Sequence, residues 1–133
     1  MILYLSLAGA GTSETLEQAL IVAVEAETDL RYVAVVDDAH FGDIDHATME
    51  MVAEELEFLL RAQLVAVRRR VTSSPAGHVA IHRGSAADVL GGVDETIHEV
   101  LVGGPIALDE AATSELIVQL ERRSGVRVRV LTS

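Results

Sequence analysis

Two adjacent glycines after a short apolar segment form the most evident candidate binding site in this sequence. Gly103 and Gly104 follow Glu99–Val102, which is typical of a buried strand, and a helix is predicted to begin close behind them. Ligands of open parallel α/β sheets bind beyond the carboxyl ends of the strands, where backbone N–H groups and helix N-termini are exposed. Glycines at this position would let a phosphate group approach the backbone closely.

Two carboxylates directly after this turn favour a different use of the same position. Asp109 and Glu110 stand at the start of the predicted helix, where the helix macrodipole favours negative charge. A carboxylate there competes with a bound phosphate for the same electrostatic environment. We therefore expect the protein's own side chains to fill this anion site.

A second group of polar residues, between positions 37 and 46, contains residue types that bind metals. His40, His46 and Asp43 offer imidazole and carboxylate ligands for a divalent ion, but their spacing matches no known metal motif. Asp45 is explained as a helix cap. We expect no metal site, and a metal-assisted enzyme that uses His40 and His46 is kept as an alternative.

Other catalytic groups are absent from the sequence itself. The chain has no cysteine, and all ten of its basic residues are arginine, so thiolate and lysine mechanisms are excluded. Its serines lack a convincing pattern of His and Asp partners and a nucleophile-elbow motif. The Gly9-Ala10-Gly11 sequence begins like a dinucleotide fingerprint, but Glu14 stands where that motif needs its third glycine. We expect no catalytic residues.

Composition limits the classes of partner. The 133 residues predict a single domain, residues 1–133, and half of them are hydrophobic. A net charge of −11 disfavours nucleic acid and anionic membranes, which are bound by clustered basic residues. No apolar run reaches the ~20 residues of a membrane span, and the N-terminus lacks a basic leader. We expect a cytoplasmic protein with no nucleic-acid or membrane partner.

Strand and helix patterns alternate along the whole chain. The predicted strands are Ile2–Leu7, Leu30–Val36, His78–His82, Glu99–Val102 and Val126–Leu131. The predicted helices run from Thr12 or Ser13 to about Glu27, from Asp45 to Arg70, from Ser85 to Gly91, and from Glu110 to Arg123. This alternation predicts an α/β fold with an open five-stranded parallel sheet and helices on both faces.

The long second helix has a broad apolar stripe that is expected to face the sheet. We assign to it Met49, Val52, Ala53, Leu56, Leu59, Leu60, Gln63, Leu64 and Val67. On the third strand, His78 and His82 lie on one face. We interpret that face as the exposed side of an edge strand.

This order of elements resembles the universal stress protein family over nearly the whole chain. The matching segments are a second strand ending in VVD, the turn and short helix RGSAADVL, the fourth strand ending in LVGG, and the last strand VRVRVL. The resemblance implies a Rossmann-like sheet with strand order 3-2-1-4-5. It also implies a role in stress response or regulation.

The resemblance further implies where a nucleotide would lie. ATP-binding members carry an aspartate after the first strand and a Gly-x2-Gly-x9-Gly-Ser/Thr run after the fourth. In this sequence Ala8 or Gly9 stands at the position of the aspartate. Ile106 stands at the position of the second glycine. The best match to the end of the run is Ala112-Thr113 or Thr113-Ser114, and the loop is several residues shorter than the family pattern. The candidate nucleotide-binding residues are therefore Ala8, Gly9, Val36, Gly103, Gly104, Thr113 and Ser114. We expect no cofactor, with ATP or AMP bound by a modified phosphate loop as the alternative.

The last strand is the predicted interface. Three valines alternate with two arginines, which is typical of a half-buried strand, and an edge strand there would offer free N–H and C=O groups to a second copy. Dimerisation through this strand is also what the resemblance implies, and its arginines would reach acidic groups of the partner. The expected interface residues are Val126, Arg127, Val128, Arg129 and Val130. A homodimer that binds a further protein partner is the expected assembly.

Overall fold

Strands and helices alternate in the computed structural model, which describes residues 1–7, 12–36, 46–71, 77–91, 96–103 and 110–131. The strands are β1 (Ile2–Ser6), β2 (Leu30–Val36), β3 (Gly77–Arg83), β4 (Glu99–Gly103) and β5 (Val128–Val130). The helices are α1 (Ser13–Glu25), α2 (His46–Arg68), α3 (Ala86–Gly91) and α4 (Glu110–Ser124). The predicted element order is confirmed, with ends that differ by a few residues.

The strands form one parallel sheet with the order β3-β2-β1-β4-β5. Strand β1 lies at the centre, where Tyr4 pairs with Tyr32 of β2 and with Leu101 of β4. All five residues of β1 are buried, because both faces of a parallel sheet are covered by helices. The predicted fold class and strand order are both confirmed.

Each face of the sheet carries its own apolar cluster. Helices α1 and α2 cover one face, with Leu16, Leu20, Leu60 and Leu64 packed against β1 and β2. Helices α3 and α4 contribute to the other, with Ala86, Val89 and Leu120 packed against Leu3, Leu5, Val33 and Val100. Residues two apart on a strand therefore belong to the same cluster, as the alternation of side chains requires.

Short polar residues fix the helix ends next to the sheet. The Thr12 hydroxyl accepts a hydrogen bond from the Thr15 amide at 3.2 Å and caps α1. The Ser85 hydroxyl accepts from the Asp88 amide at 3.3 Å at the start of α3. After α4, Gly125 has a φ of +69°, and its amide donates to the Glu121 carbonyl at 2.8 Å.

The prediction for the inner stripe of α2 was wrong at Leu59, whose exposed fraction is 61%, whereas its neighbour Leu60 is 1% exposed. Consecutive residues of an α-helix point about 100° apart, so only Leu60 of this pair packs against the sheet. Met49, Leu64 and Val67 are buried as expected.

None of the helices within the described ranges is both long enough and apolar enough to span a membrane.

Candidate functional site

The carboxyl edge of the sheet brings together the ends of its three central strands. Ser6 ends β1 and pairs with Gly103 of β4 on one side and with Ala34 of β2 on the other. Val36 ends β2 and is buried. This is the edge at which ligands bind in open α/β sheets.

Tyr4 occupies the space beside Gly103. A Cβ atom added to Gly103 would lie 2.7 Å from both the hydroxyl oxygen and Cε2 of the Tyr4 ring, which is closer than carbon atoms pack. The absence of a side chain at Gly103 therefore accommodates the protein's own aromatic ring. This close approach explains the glycine without a ligand.

A network of hydroxyl groups connects this edge to the start of α1. The Tyr4 and Thr15 hydroxyls share a hydrogen bond of 2.6 Å, and the Thr15 and Thr12 hydroxyls lie 2.9 Å apart. The Thr15 hydroxyl also donates to the Thr12 carbonyl at 3.1 Å. Burial raises the pKa of the Tyr4 hydroxyl above its ordinary 10.0, and the hydrogen bond with Thr15 acts in the opposite direction.

A second polar connection joins α1 to α2 beside the first. The Tyr32 ring lies 4.9 Å from the Tyr4 ring, centroid to centroid, in a tilted arrangement. Its hydroxyl donates to the Gln63 side-chain oxygen at 3.2 Å, and the Gln63 amide nitrogen donates to Ser13 at 3.4 Å. Both tyrosines of the chain are therefore hydrogen-bonded in the layer between the sheet and α1 or α2.

Ser6 is the unusual residue of this edge. Its side chain is fully buried, and its hydroxyl has no hydrogen-bond partner among the residues that the structure describes. A buried hydroxyl without a partner costs about 1–3 kcal/mol. Sequence reasoning missed Ser6, although one polar residue at the carboxyl end of an otherwise apolar strand was the available signal.

The structure shows the positions of four of the seven predicted nucleotide-binding residues. Val36 and Gly103 lie at the carboxyl edge, and the Val36 carbonyl accepts a hydrogen bond of 3.0 Å from the Gly84 amide. Thr113 is half-buried and Ser114 is exposed, and both lie inside α4 rather than at its first residue. Ala8, Gly9 and Gly104 lie outside the described residues.

The two acidic residues expected to fill the anion site are described only in part. Glu110 is exposed and is the first residue of α4. Asp109 lies outside the described residues, as do Asp43 and His40 of the metal hypothesis, and nothing is described of the His46 side chain. In the described ranges, no three His, Asp or Glu side chains are grouped closely enough to hold a metal ion.

The predicted interface residues lie on an edge of the sheet. Strand β5 pairs with β4, and no other described strand pairs with it. Val128 is buried, whereas Val126 and Val130 are half-buried and pack against the cluster under α4. Arg129 forms an ion pair with Glu99 of β4 in the same chain, so its charge is already balanced within the protein. Arg127 is exposed.

Along β5 and the residues beside it, some backbone N–H and C=O groups bond to β4 and the others point away from the sheet. The Arg127 carbonyl accepts from the Val100 amide at 3.0 Å, and the Leu131 amide donates to the Val102 carbonyl at 2.7 Å. Because backbone groups alternate in direction along a strand, the N–H and C=O groups of Val128 and Val130 point away from β4.

At the opposite edge of the sheet, His78 of β3 is exposed and His82 is half-buried.

Comparison with solved structures identifies the fold. A universal stress protein family member from Burkholderia pseudomallei is 22% identical, with a TM-score of 0.65 over 99% of this chain and 96% of its own. UspA from Lactobacillus plantarum is 17% identical, with a TM-score of 0.58 over 98% of this chain and 97% of its own. A universal stress protein in complex with cAMP is 14% identical, with a TM-score of 0.59 over 98% and 95%.

The sequence itself matches no family model and no curated protein. The similarity is therefore one of structure, and it extends over nearly the whole chain. The resemblance predicted from the order of the elements is confirmed at the level of the fold.

Proposed function

Because the chain has the fold of the universal stress proteins, we propose that it is a stress-response or regulatory module that binds partners rather than catalysing a reaction. It acts as a homodimer through β5 and lacks the ATP site of its nucleotide-binding relatives. The packing of Tyr4 against Gly103 is the observation that carries this proposal, since an aromatic ring takes the room beside the glycine turn.

The remaining polar groups near this edge support the same conclusion. Tyr4, Thr15 and Thr12 bond to one another, and the Val36 carbonyl bonds to Gly84. A nucleotide needs donors and acceptors that are exposed to it. Groups that already have partners inside the protein would have to exchange them for the ligand.

Thermal unfolding with and without nucleotides tests this proposal. A ligand that binds only the folded state at ten times its Kd adds about 1.4 kcal/mol of stability. We expect millimolar ATP with Mg²⁺, AMP or cAMP to leave Tm unchanged. A rise of several degrees with any of them would contradict the proposal.

A second candidate function, the binding of an adenine nucleotide, is favoured by Ser6. Its buried hydroxyl lacks a partner among the described residues and lies at the edge where the strands end, so a ligand that reached it there would supply the missing hydrogen bond. One structural neighbour is a complex with cAMP, which makes a cyclic or linear adenine nucleotide the first ligand to try.

Ser6→Ala separates the two functions. Without a ligand, the substitution removes an unsatisfied buried hydroxyl and is expected to raise the free energy of unfolding by about 1 kcal/mol. If a nucleotide uses Ser6, the same substitution lowers the stabilisation that the nucleotide gives. Ser124→Ala is the control, because the Ser124 hydroxyl donates to the Leu120 carbonyl at 2.7 Å and its removal is expected to be destabilising.

Val130→Pro tests the dimer. The Val130 N–H points away from β4, so proline there removes a donor from the free edge and leaves the β4–β5 ladder intact. We expect this variant to have half the molar mass of Val130→Ala, which keeps the N–H group. Equal masses of two folded variants in sedimentation would exclude pairing through β5.

A further inference from the structure

Helix α2 has a second apolar stripe on the side opposite the sheet. Met51, Phe58 and Val65 are exposed by 64%, 73% and 52%, and each is seven residues from the next. Seven residues are nearly two helical turns, so the three side chains form one line along the helix. Ala62 lies on this line between Phe58 and Val65, and Leu59 flanks it; both are exposed. We call these five residues the outer stripe.

Single exposed apolar residues are common on protein surfaces, but a regular line of them is typical of a helix that packs against another helix. Phe58 stands at its centre and is the most exposed large apolar side chain of the described residues. It also lines a shallow depression together with Leu59, Glu54 and Glu55.

The charges of α2 and the residues after it are separated by sign along the axis. Every acidic residue between positions 46 and 70 precedes Phe58, and every basic one follows Leu60. The acidic residues are Glu50, Glu54, Glu55 and Glu57, and the basic residues are Arg61, Arg68, Arg69 and Arg70. A helix with this distribution attracts a second copy of itself in the antiparallel direction and repels it in the parallel one.

We propose that the outer stripe of α2 is a self-association surface, on which two copies of the chain pack their α2 helices antiparallel about a two-fold axis at Phe58. Phe58 then contacts its own symmetry mate. Met51 faces Val65 of the second copy, because both lie seven residues from the axis. Glu55 faces Arg61 of the second copy, because both lie three residues from it.

The ion pair already present on this surface does not oppose the exchange. Arg61 bonds to Glu57 of the same helix at 2.6 Å, with 66% and 36% of the two side chains exposed. Pairs so exposed contribute little to stability. Arg61 therefore moves to an acceptor on the second copy at small cost.

Size limits the strength of this contact. A helix of 23 residues is about 34 Å long and about 10 Å wide. Its footprint is well below the roughly 800 Å² per partner of a standard interface. We therefore expect a weak dimer with a dissociation constant in the micromolar range or above. Helix α2 packs beside β3, at the opposite edge of the sheet from β5, so the contact is independent of the proposed pairing through β5.

Cysteine cross-linking tests the geometry directly, since the chain has no cysteine of its own. We expect Met51→Cys mixed with Val65→Cys to form a disulfide-linked dimer on mild oxidation, and each variant alone to remain largely uncross-linked. Phe58→Cys is expected to cross-link with itself. Val118→Cys, on α4 and 45% exposed, is the control for random collision.

Self-linking of Met51→Cys at the rate of the mixture, or equal linking of Val118→Cys, would overturn the antiparallel arrangement. If no variant cross-linked more than the control, self-association would be overturned as well. The outer stripe would then face solvent or bind a helix of another protein. These results do not depend on β5, so failure here and failure of the β5 dimer are distinguishable.

Charge exchange tests the register. Glu55→Arg places two like-charged pairs in the symmetric dimer, and Arg61→Glu does the same with the opposite sign. We expect either substitution to weaken self-association by about tenfold and an equimolar mixture of the two to restore it. A mixture that associates no better than its components would overturn the pairing of Glu55 with Arg61.

Discussion

At the scale of single residues, the carboxyl edge of the sheet is defined by what Tyr4 contacts. Its ring packs against Gly103, and its hydroxyl bonds to Thr15, so one side chain connects β1, β4 and α1. The sequence indicated a glycine turn but gave no reason to connect it with a tyrosine from the first strand. That contact arises because β1 and β4 are neighbours in the sheet, although they are far apart in the chain.

Gly103→Ala is expected to destabilise the protein by about 1–3 kcal/mol, because the new Cβ overlaps the Tyr4 ring. Denaturant unfolding measures the loss. Gly91→Ala is the matched control, since a Cβ at Gly91 meets nothing within 4 Å and alanine favours the helix. Similar changes in the two variants would show that the ring shifts easily.

Alkaline pH is expected to destabilise the protein through Tyr4. The folded-state pKa of its hydroxyl is raised by burial above the ordinary 10.0, so from about pH 10 upwards the unfolded chain releases a proton that the folded chain retains. Stability is therefore unaffected below that pH and falls above it, until the folded-state pKa is passed. Without lysines in the sequence, few other groups titrate there.

Tyr4→Phe isolates that effect. The variant is expected to lose about 1 kcal/mol at neutral pH with the hydrogen bond to Thr15 and to show a shallower decline of unfolding free energy between pH 9 and 11. Tyr32→Phe serves as the comparison, because it removes the other tyrosine hydroxyl. If the two variants declined with the same slope as the unmodified chain, Tyr4 would not be the responsible group.

At the scale of elements, periodicity and end signals predicted nearly all that is observed. The predicted start of α1 was Thr12 or Ser13 and that of α3 was Ser85. The hydroxyls of Thr12 and Ser85 each accept a hydrogen bond from the backbone amide three residues further on. Leu59 was missed because a stripe of helical spacing predicts that a face is apolar, but not which flank the sheet will cover. The nucleotide and interface assignments stay predictions.

Thr12→Ala is expected to lower the free energy of unfolding by about 1 kcal/mol, since the amide of Thr15 loses its capping acceptor. Thr12→Ser keeps that oxygen and is the matched control. Thermal unfolding followed by circular dichroism measures both. A loss of the same size in the serine variant would assign the effect to the methyl group instead of the cap.

At the scale of the whole molecule, charge is the dominant feature. A net charge of −11 on 133 residues, with arginine as the only permanent cation, makes self-repulsion part of the folding balance. Excess acid without lysine is typical of proteins kept soluble in high salt. The net charge follows from composition alone, because it depends on the number of ionisable residues and not on their arrangement.

Sodium chloride is expected to stabilise the folded chain. The Debye length falls from about 30 Å at 0.01 M to about 3 Å at 1 M, so repulsion between carboxylates across the surface is removed over that range. Tm measured along such a series should rise and then level off. A Tm that falls steadily with salt would show that attractive surface pairs, such as Arg61 with Glu57, outweigh the repulsion.

The placement of α2 beside β3 and of β5 at the far edge of the sheet gives the molecule two ends. If both proposed contacts form, each monomer has a valence of two, with a different symmetry axis at either end. Such a monomer grows into a filament unless its two axes are oriented so that an even number of copies, four or more, closes into a ring. Because each monomer carries a net charge of −11, neighbouring monomers of the polymer repel one another, and the polymer length would then depend on ionic strength.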